Sequence, residues 1–209
     1  MSLYQKYRPR DFSSLVGQTF IKQALTTALT QDKTVGAYLF CGSRGTGKTS
    51  VARILAQSIN CTDRTKEGDP CGKCMNCEAF ARGGMLDVIE IDAASNTGVD
   101  NIREMIEKAQ FQPNQGKYKI YIIDEVHMLS KGAFDALLKT LEEPPSHVKF
   151  ILATTEIHKI PETILSRCQR YDFRKISETD IIARLQFVAE SENIKTEEKA
   201  LSLVARLAK

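Results

Sequence analysis

The chain has 209 residues, 42% hydrophobic and 26% charged, with no tryptophan, which is enough for one full domain and part of a second. A net charge of +3 is too small to argue nucleic-acid binding from overall charge, so any basic patch must be argued locally. No apolar run approaches the roughly 20 residues that span a bilayer, and Met1 to Lys6 lacks a signal-peptide core. The sequence therefore reads as cytoplasmic, and its six cysteines as metal ligands or buried thiols rather than disulfides.

In chain order, Ile21, Leu25 and Leu29 predict the buried stripe of a helix over 18–30. Ala37 to Cys41 is a short apolar strand. Val51, Ile54, Leu55 and Ile59 then recur at helical spacing, ending near Asn60. Residues 61–77 form a polar insert that buries little apolar surface and needs another source of rigidity. Leu86 to Ile91 predicts a second strand, and a loop from Asp92 to Gly98 leads to a helix with Val99, Ile102, Ile106 and Ala109 inward. A turn over 111–117 precedes a third strand, Tyr118 to Ile123. The next helix buries Phe134, Leu137, Leu138 and Leu141 and is stopped by Pro144-Pro145. Val148 to Thr154 is a fourth strand and Arg170 to Phe173 a fifth.

Such alternation implies an α/β fold, with a five-stranded, mostly parallel sheet sandwiched by helices. From about Ser177 only helix follows. Ser177 with Asp180 reads as a cap before Ile181, Ile182, Leu185, Val188 and Ala189. A last stripe, Leu201, Val204, Leu207 and Ala208, runs into the end of the chain without a cap or glycine, as in a piece of a longer protein. This divides the chain into an α/β domain over 1–176, with the cysteine module at 61–77, and the start of a helical domain over 177–209.

Between the first strand and its helix, Gly42-Ser43-Arg44-Gly45-Thr46-Gly47-Lys48-Thr49 fits G-x-x-x-x-G-K-[ST]. Its glycines let backbone N–H groups turn toward phosphate oxygens, and the helix behind adds its positive end. Lys48 is placed to neutralise the β- and γ-phosphates and Thr49 to hold Mg²⁺. Asp124-Glu125 closes the third strand and so stands at the carboxyl edge of a parallel sheet, beside that loop. Asp124 is suited to the Mg²⁺ water shell and Glu125 to polarising an attacking water. Glu125 argues for hydrolysis over nucleotide binding alone.

Cys61 with Cys71-x-x-Cys74-x-x-Cys77 offers four thiolates to one tetrahedral ion, the pattern of structural zinc. An iron–sulfur cluster is the alternative, set against by the upstream position of the fourth cysteine. Cys41 and Cys168 read as packing residues.

The P-loop, the four cysteines, Ile91-Asp92-Ala93-Ala94-Ser95, Asp124-Glu125-Val126-His127-Met128-Leu129, Leu137 to Pro145, Leu152-Ala153-Thr154-Thr155 and Ser166-Arg167-Cys168 occur in that order. Together they resemble the gamma/tau subunits of bacterial DNA polymerase III clamp loaders, a family of AAA+ ATPases. The match runs from Tyr7 to about Phe173, so the chain corresponds to the family's N-terminal part. The resemblance implies an AAA+ P-loop NTPase that uses Mg²⁺-dependent ATP hydrolysis to open a sliding clamp and load it onto primed DNA. It implies nucleotide contacts at Gly45, Thr46, Gly47, Lys48, Thr49 and Ser50, an adenine pocket lined by Tyr7, Arg8 and Val16, and a sensor threonine at Thr155. It also implies an arginine finger at Arg167 that acts on a neighbouring subunit's ATP. Arg103 and Lys139 are its candidate contacts to DNA phosphates. The family continues into a Gly-Ser-x-Arg-Asp sensor helix and an oligomerisation collar, and this chain stops before either. The piece is thus expected to be monomeric and a poor ATPase alone, whereas the full protein joins a hetero-pentamer. A non-hydrolysing stator subunit, or another AAA+ DNA-remodelling ATPase, are the alternative readings.

Overall fold

The computed structural model describes residues 2–208. Five strands, β1 (Ala37–Cys41), β2 (Val88–Asp92), β3 (Lys119–Asp124), β4 (Val148–Thr154) and β5 (Gln169–Asp172), form one sheet in the order β2-β3-β4-β1-β5. Every pairing is parallel, so the expected mostly parallel sheet is wholly so.

Strand side chains alternate between two faces, which splits the core in two. Tyr38, Phe40, Ile120, Ile122, Ile151 and Ala153 pack on one face with Leu25 and Leu29 of α2 (Thr19–Thr30) and Val51, Ile54 and Leu55 of α3 (Lys48–Asn60). On the other, Leu39, Tyr121, Ile123, Phe150 and Leu152 meet Ile102 and Met105 of α5 (Val99–Ala109) and Phe134 and Leu137 of α6 (Lys131–Glu142). Each such side chain contributes about 1.5–3 kcal/mol by leaving water. α6 is capped by Ser130, whose hydroxyl accepts from the Ala133 N–H at 3.2 Å.

Several expectations need correction. Strand β2 begins at Val88, and Leu86 is 73% exposed. In α5, Met105 joins Ile102 and Ala109 in the core, Ile106 packs half-buried against the same core, and Val99 is half-buried. The polar insert ends in a short helix, α4 (Met75–Ala81), which carries Cys77 on its first turn. Two more short helices, α1 (Leu3–Lys6) and α7 (Glu162–Leu165), were too short to leave a periodic signal.

The C-terminal pair, α8 (Glu178–Ser191) and α9 (Glu198–Leu207), follows the Ser177 cap, whose hydroxyl accepts from the Asp180 N–H at 3.1 Å. Of the stripe expected on α9, Leu201 is half-buried, Val204, Leu207 and Ala208 are exposed, and Ala205 is the buried residue. Small Ala189 and Ala205 sit where the hairpin's helices meet. Among the described residues, no helix is long and apolar enough to cross a membrane.

Candidate functional site

The loop between β1 and α3 emerges at the carboxyl edge of the sheet. Gly42 has φ +151°, and a Cβ there would lie 2.6 Å from the Phe173 carbonyl oxygen, so only glycine fits against the exit of β5. Gly47, at φ +99°, turns the chain into α3. Lys48 is buried and folds back into the loop, its ammonium donating to the Gly42 and Ser43 carbonyls at 2.8 and 3.0 Å. Burial lowers its pKa, against the opposing pull of the Glu125 and Asp124 carboxylates. Gly45 is exposed, the Thr46 hydroxyl donates to the Ser43 carbonyl at 2.8 Å, and Thr49 and Ser50 are half-buried in the first turn of α3. Two carbonyls thus hold a cation where an anion bound by the loop's N–H groups would meet it.

Strand β3 delivers the acidic pair to the same place. The Thr49 hydroxyl donates to Asp124 Oδ2 at 2.6 Å, so these two oxygen ligands already touch. They suit Mg²⁺, which keeps most of its waters and takes few protein oxygens. Glu125 adopts φ 47°, ψ 45°, a left-handed conformation uncommon outside glycine and asparagine. Its N–H donates to Asp124 Oδ1 at 2.9 Å. That turn aims its side chain across to the end of β4. There Oε2 accepts from the Thr155 hydroxyl at 2.9 Å and the Thr155 N–H at 3.3 Å.

The N-terminal segment bridges this edge and α8. Gln18 donates to the Thr46 and Arg174 carbonyls at 3.1 and 2.6 Å and accepts from the Arg174 N–H at 3.1 Å. The Tyr7 hydroxyl donates to Glu192 at 2.6 Å, its ring lies edge-on to Phe187, and its carbonyl accepts from Arg184. Arg8 stacks on the Tyr4 ring at 4.7 Å. Val16 is half-buried beside Leu15, which comes within 3.7 Å of the space a Cβ on Gly47 would take.

Arg167 lies elsewhere. It precedes β5, whose Gln169 pairs with Tyr38 near the start of β1, so it stands at the amino edge of the sheet. A strand of this length separates it from the P-loop by about 16 Å. There it donates to Glu142 Oε1 at 2.5 Å and to the Thr163 carbonyl at 2.6 Å, beside a cavity of about 360 Å³ lined by Gly36, Leu141 and Pro144. Arg103 on α5 and Lys139 on α6 are exposed, with Asp100 3.5 Å from Arg103.

The cysteines converge. The sulfurs of Cys61, Cys71, Cys74 and Cys77 lie within 4.8 Å of one another, and Cys61 is 3.9 Å from Cys74. Four thiolates about 2.3 Å from one ion would sit about 3.8 Å apart, so the set fits tetrahedral zinc. The Cys71 N–H donates to Cys61 Sγ and the Cys74 N–H to Cys71 Sγ, each at 3.3 Å, bonds that favour thiolates. Burial pushes Cys77 up to about 12 and raises Cys61. Burial raises Cys74 too, but the N–H groups of Thr62 and Cys77 outweigh it and bring that thiol to about 6. A bound cation draws all four to the thiolate. Cys41 and Cys168 are packing residues, their thiols raised by burial to about 11 and about 12.

Sequence reasoning missed Gln18, whose signal was only its place before a helix, and His127. It also missed Asn60, which clamps the residue before Cys61 to the start of β3 by accepting from the Tyr118 N–H at 2.9 Å and donating to the Tyr118 carbonyl at 2.8 Å.

Comparison with known proteins follows the same lines. The family described as DNA polymerase III, delta subunit, matches residues 17–177. The chain is 53% identical over 207 residues to the DNA polymerase III subunit tau of Bacillus subtilis, covering 99% of this chain and 37% of that protein. It is 47% identical over 206 residues to the tau subunit of Escherichia coli K12, covering 99% and 32%. It is 46% identical to the gamma subunit of Buchnera aphidicola subsp. Baizongia pistaciae, covering 98% and 55%. The chain therefore spans roughly a third to just over half of these relatives. Among solved structures, the RuvB Holliday junction branch migration motor of Thermotoga maritima superposes with a TM-score of 0.68 at 18% identity, over 95% of this chain and 59% of that one. A DNA polymerase III gamma subunit-related protein from the same organism gives 0.51 at 20% identity, over 90% and 56%. These likenesses support an AAA+-type fold.

Proposed function

Since the chain belongs to the DNA polymerase III, delta subunit family, we propose that it is the nucleotide-hydrolysing module of a replicative clamp loader. In this reading ATP binding and hydrolysis open a sliding clamp and load it onto primed DNA, within a complex of several subunits. Residues 1–176 are the ATPase domain, 61–77 its zinc module, and 177–209 the beginning of a lid. The observation that carries it is the juxtaposition of Thr49 with Asp124 at 2.6 Å, and of Glu125 with Thr155 at 2.9 Å, at the mouth of a P-loop.

Lys48 exchanges its carbonyl partners for the β- and γ-phosphate oxygens, and Gly45 to Ser50 supply N–H groups and the helix end. Thr49 and Asp124 would hold Mg²⁺, which neutralises charge on the transferred phosphoryl group. Glu125 accepts the proton of a water attacking the γ-phosphorus, while the bond to the β-phosphate oxygen breaks and ADP keeps its electron pair. Thr155 is positioned for the γ-phosphate or that water. Tyr7, Arg8 and Val16 would line the adenine pocket, a role supported by the contacts of Tyr7 to α8. A subunit that only braces the complex has no need of Lys48, Thr49, Asp124 and Glu125 together, which disfavours the stator reading.

The test is ATP turnover by the full-length protein assembled with its partner subunits. Glu125→Gln should retain ATP affinity and lose about 10²–10⁴ in kcat, the range for removing a general base. Lys48→Ala should lose affinity. Wild-type turnover by the Glu125→Gln variant would overturn the assignment.

A further inference from the structure

His127 is the residue of this edge to which neither the motifs nor the reading above gives work. It sits on a 3-10 turn, Val126–Met128, after Glu125, and its side chain is only 6% exposed. Its ring is gripped from two directions. Nε2 lies 3.1 Å from Glu156 Oε1, while Nδ1 lies 3.1 Å from Thr154 Oγ1 and 3.4 Å from Glu125 Oε2.

A carboxylate only accepts, so the nitrogen facing Glu156 carries a proton. The Thr154 oxygen accepts the Glu156 N–H at 3.0 Å and lies within hydrogen-bond reach of Nδ1. Glu156 is itself held by the Lys159 ammonium at 2.9 Å. Both anchors, Thr154 and Glu156, flank Thr155, the residue that holds the Glu125 carboxylate. His127 therefore ties the turn after β3 to the end of β4, and its Nδ1 edge closes one side of the space in which the Glu125 carboxylate moves.

We propose that His127 is a positioning residue for hydrolysis: with Nε2–H anchored on Glu156, its Nδ1 edge sets the direction of the Glu125 carboxylate relative to Thr155. The proposal rests on the hydrolytic reading of Glu125. It separates His127 from the groups that meet nucleotide, since its contacts are to Thr154, Glu125 and Glu156. Removing it should leave ATP affinity alone and slow the chemical step.

The experiment compares His127→Ala, His127→Asn and His127→Gln in the full-length protein assembled with its partner subunits, with Glu125→Gln in parallel and thermal melting to check folding. Asn keeps a polar atom where Nδ1 stands, and Gln keeps one where Nε2 stands. His127→Ala should lose about ten- to a hundredfold in kcat, the cost of a small misplacement of a catalytic group, with nucleotide Kd unchanged within about twofold. His127→Asn should recover most of that loss and His127→Gln should not. Wild-type turnover in the Ala variant, a matching loss of affinity, recovery by Gln, or recovery by neither variant would each overturn the proposal. If Glu125→Gln itself turns over like wild type, the hydrolytic assignment has failed rather than the placement of His127.

Discussion

The carboxyl edge of the sheet and the cysteine module each hold a few polar atoms in fixed array, and they do so with different materials. Thr49, Asp124 and Thr155 stand at the ends of elements whose interiors are apolar and buried, with Leu39, Ile122, Ile123, Ile151 and Leu152 at most 1% exposed. The cysteines stand on a segment whose buried side chains are Cys61, Asp69, Asn76 and Cys77, with no aliphatic or aromatic residue among them. Close packing fixes the first array before any ligand arrives. In the second, the proposed metal coordination would replace the missing core, helped by two polar ties. Asp69 accepts from the Phe12 N–H at 2.7 Å, and Asn76 donates to the Asn60 carbonyl at 2.7 Å.

The comparison breaks most sharply on metal removal. Structural zinc contributes on the order of 10–16 kcal/mol of apparent binding energy in small modules, and that energy is folding energy. A strong chelator, or Cys74→Ser, should unfold the module. Amide exchange over 61–81 should then rise to the rate of an unfolded segment, while the strands stay protected. ATP affinity should change little, because Asn60 holds the end of α3 to β3 independently of the metal. Joint loss of strand protection and nucleotide binding would mean that the two regions are one cooperative unit.

Arg167 sharpens the comparison from the other side, since it belongs to the sheet yet lies at the edge far from the P-loop. Its position supports action on a site in a neighbouring subunit, with Glu142 and Thr163 holding it until then. Arg167→Ala should cost about 10³–10⁵ in turnover of the assembled complex, as for arginine fingers supplied in trans. ATP affinity of the chain itself should stay unchanged. A loss of affinity would place the residue at its own nucleotide site and contradict the geometry.

Legibility in the sequence follows the same division. Strands buried on both faces are apolar runs, so β1, β3 and β4 could be read almost to the residue, as could a P-loop whose glycines are demanded by backbone geometry. Cysteine spacing was equally plain. Three kinds of feature were hidden. Met105 adds to the expected inward stripe of α5 beside a half-buried Ile106, because the buried face of a helix is wider than one residue per turn. Spacing places Val204 and Leu207 inward, but both are exposed, and Ala205 is the buried residue of α9, which packs on α8. His127 and Gln18 act through partners distant in sequence, and neither residue type carries a periodic signal.

Asp87 gives the smallest effect and locates the seam between the two regions. Wholly buried just before β2, its carboxylate accepts from the N–H groups of Asn114, Gln115 and Gly116 at 2.6, 2.7 and 2.7 Å, fixing the turn that leads into β3 beside Asn60. Burial alone would raise its pKa, but those N–H donors together outweigh burial and hold it below the ordinary carboxylate value. A depressed pKa in the folded state means that its contribution is complete above the unfolded value of about 4 and is lost as pH falls through the folded value. Asp87→Asn should therefore cost about 1.5–3 kcal/mol at pH 7, the worth of hydrogen bonds to a charged group. In urea unfolding, the gap between variant and wild type should narrow as pH drops below about 4. Because the turn abuts Asn60, the variant should also raise amide exchange at Tyr118 and Cys61 ahead of the rest of the sheet. A gap that stays constant from pH 7 to pH 3, or widens, would show that the carboxylate's charge is not what holds this turn.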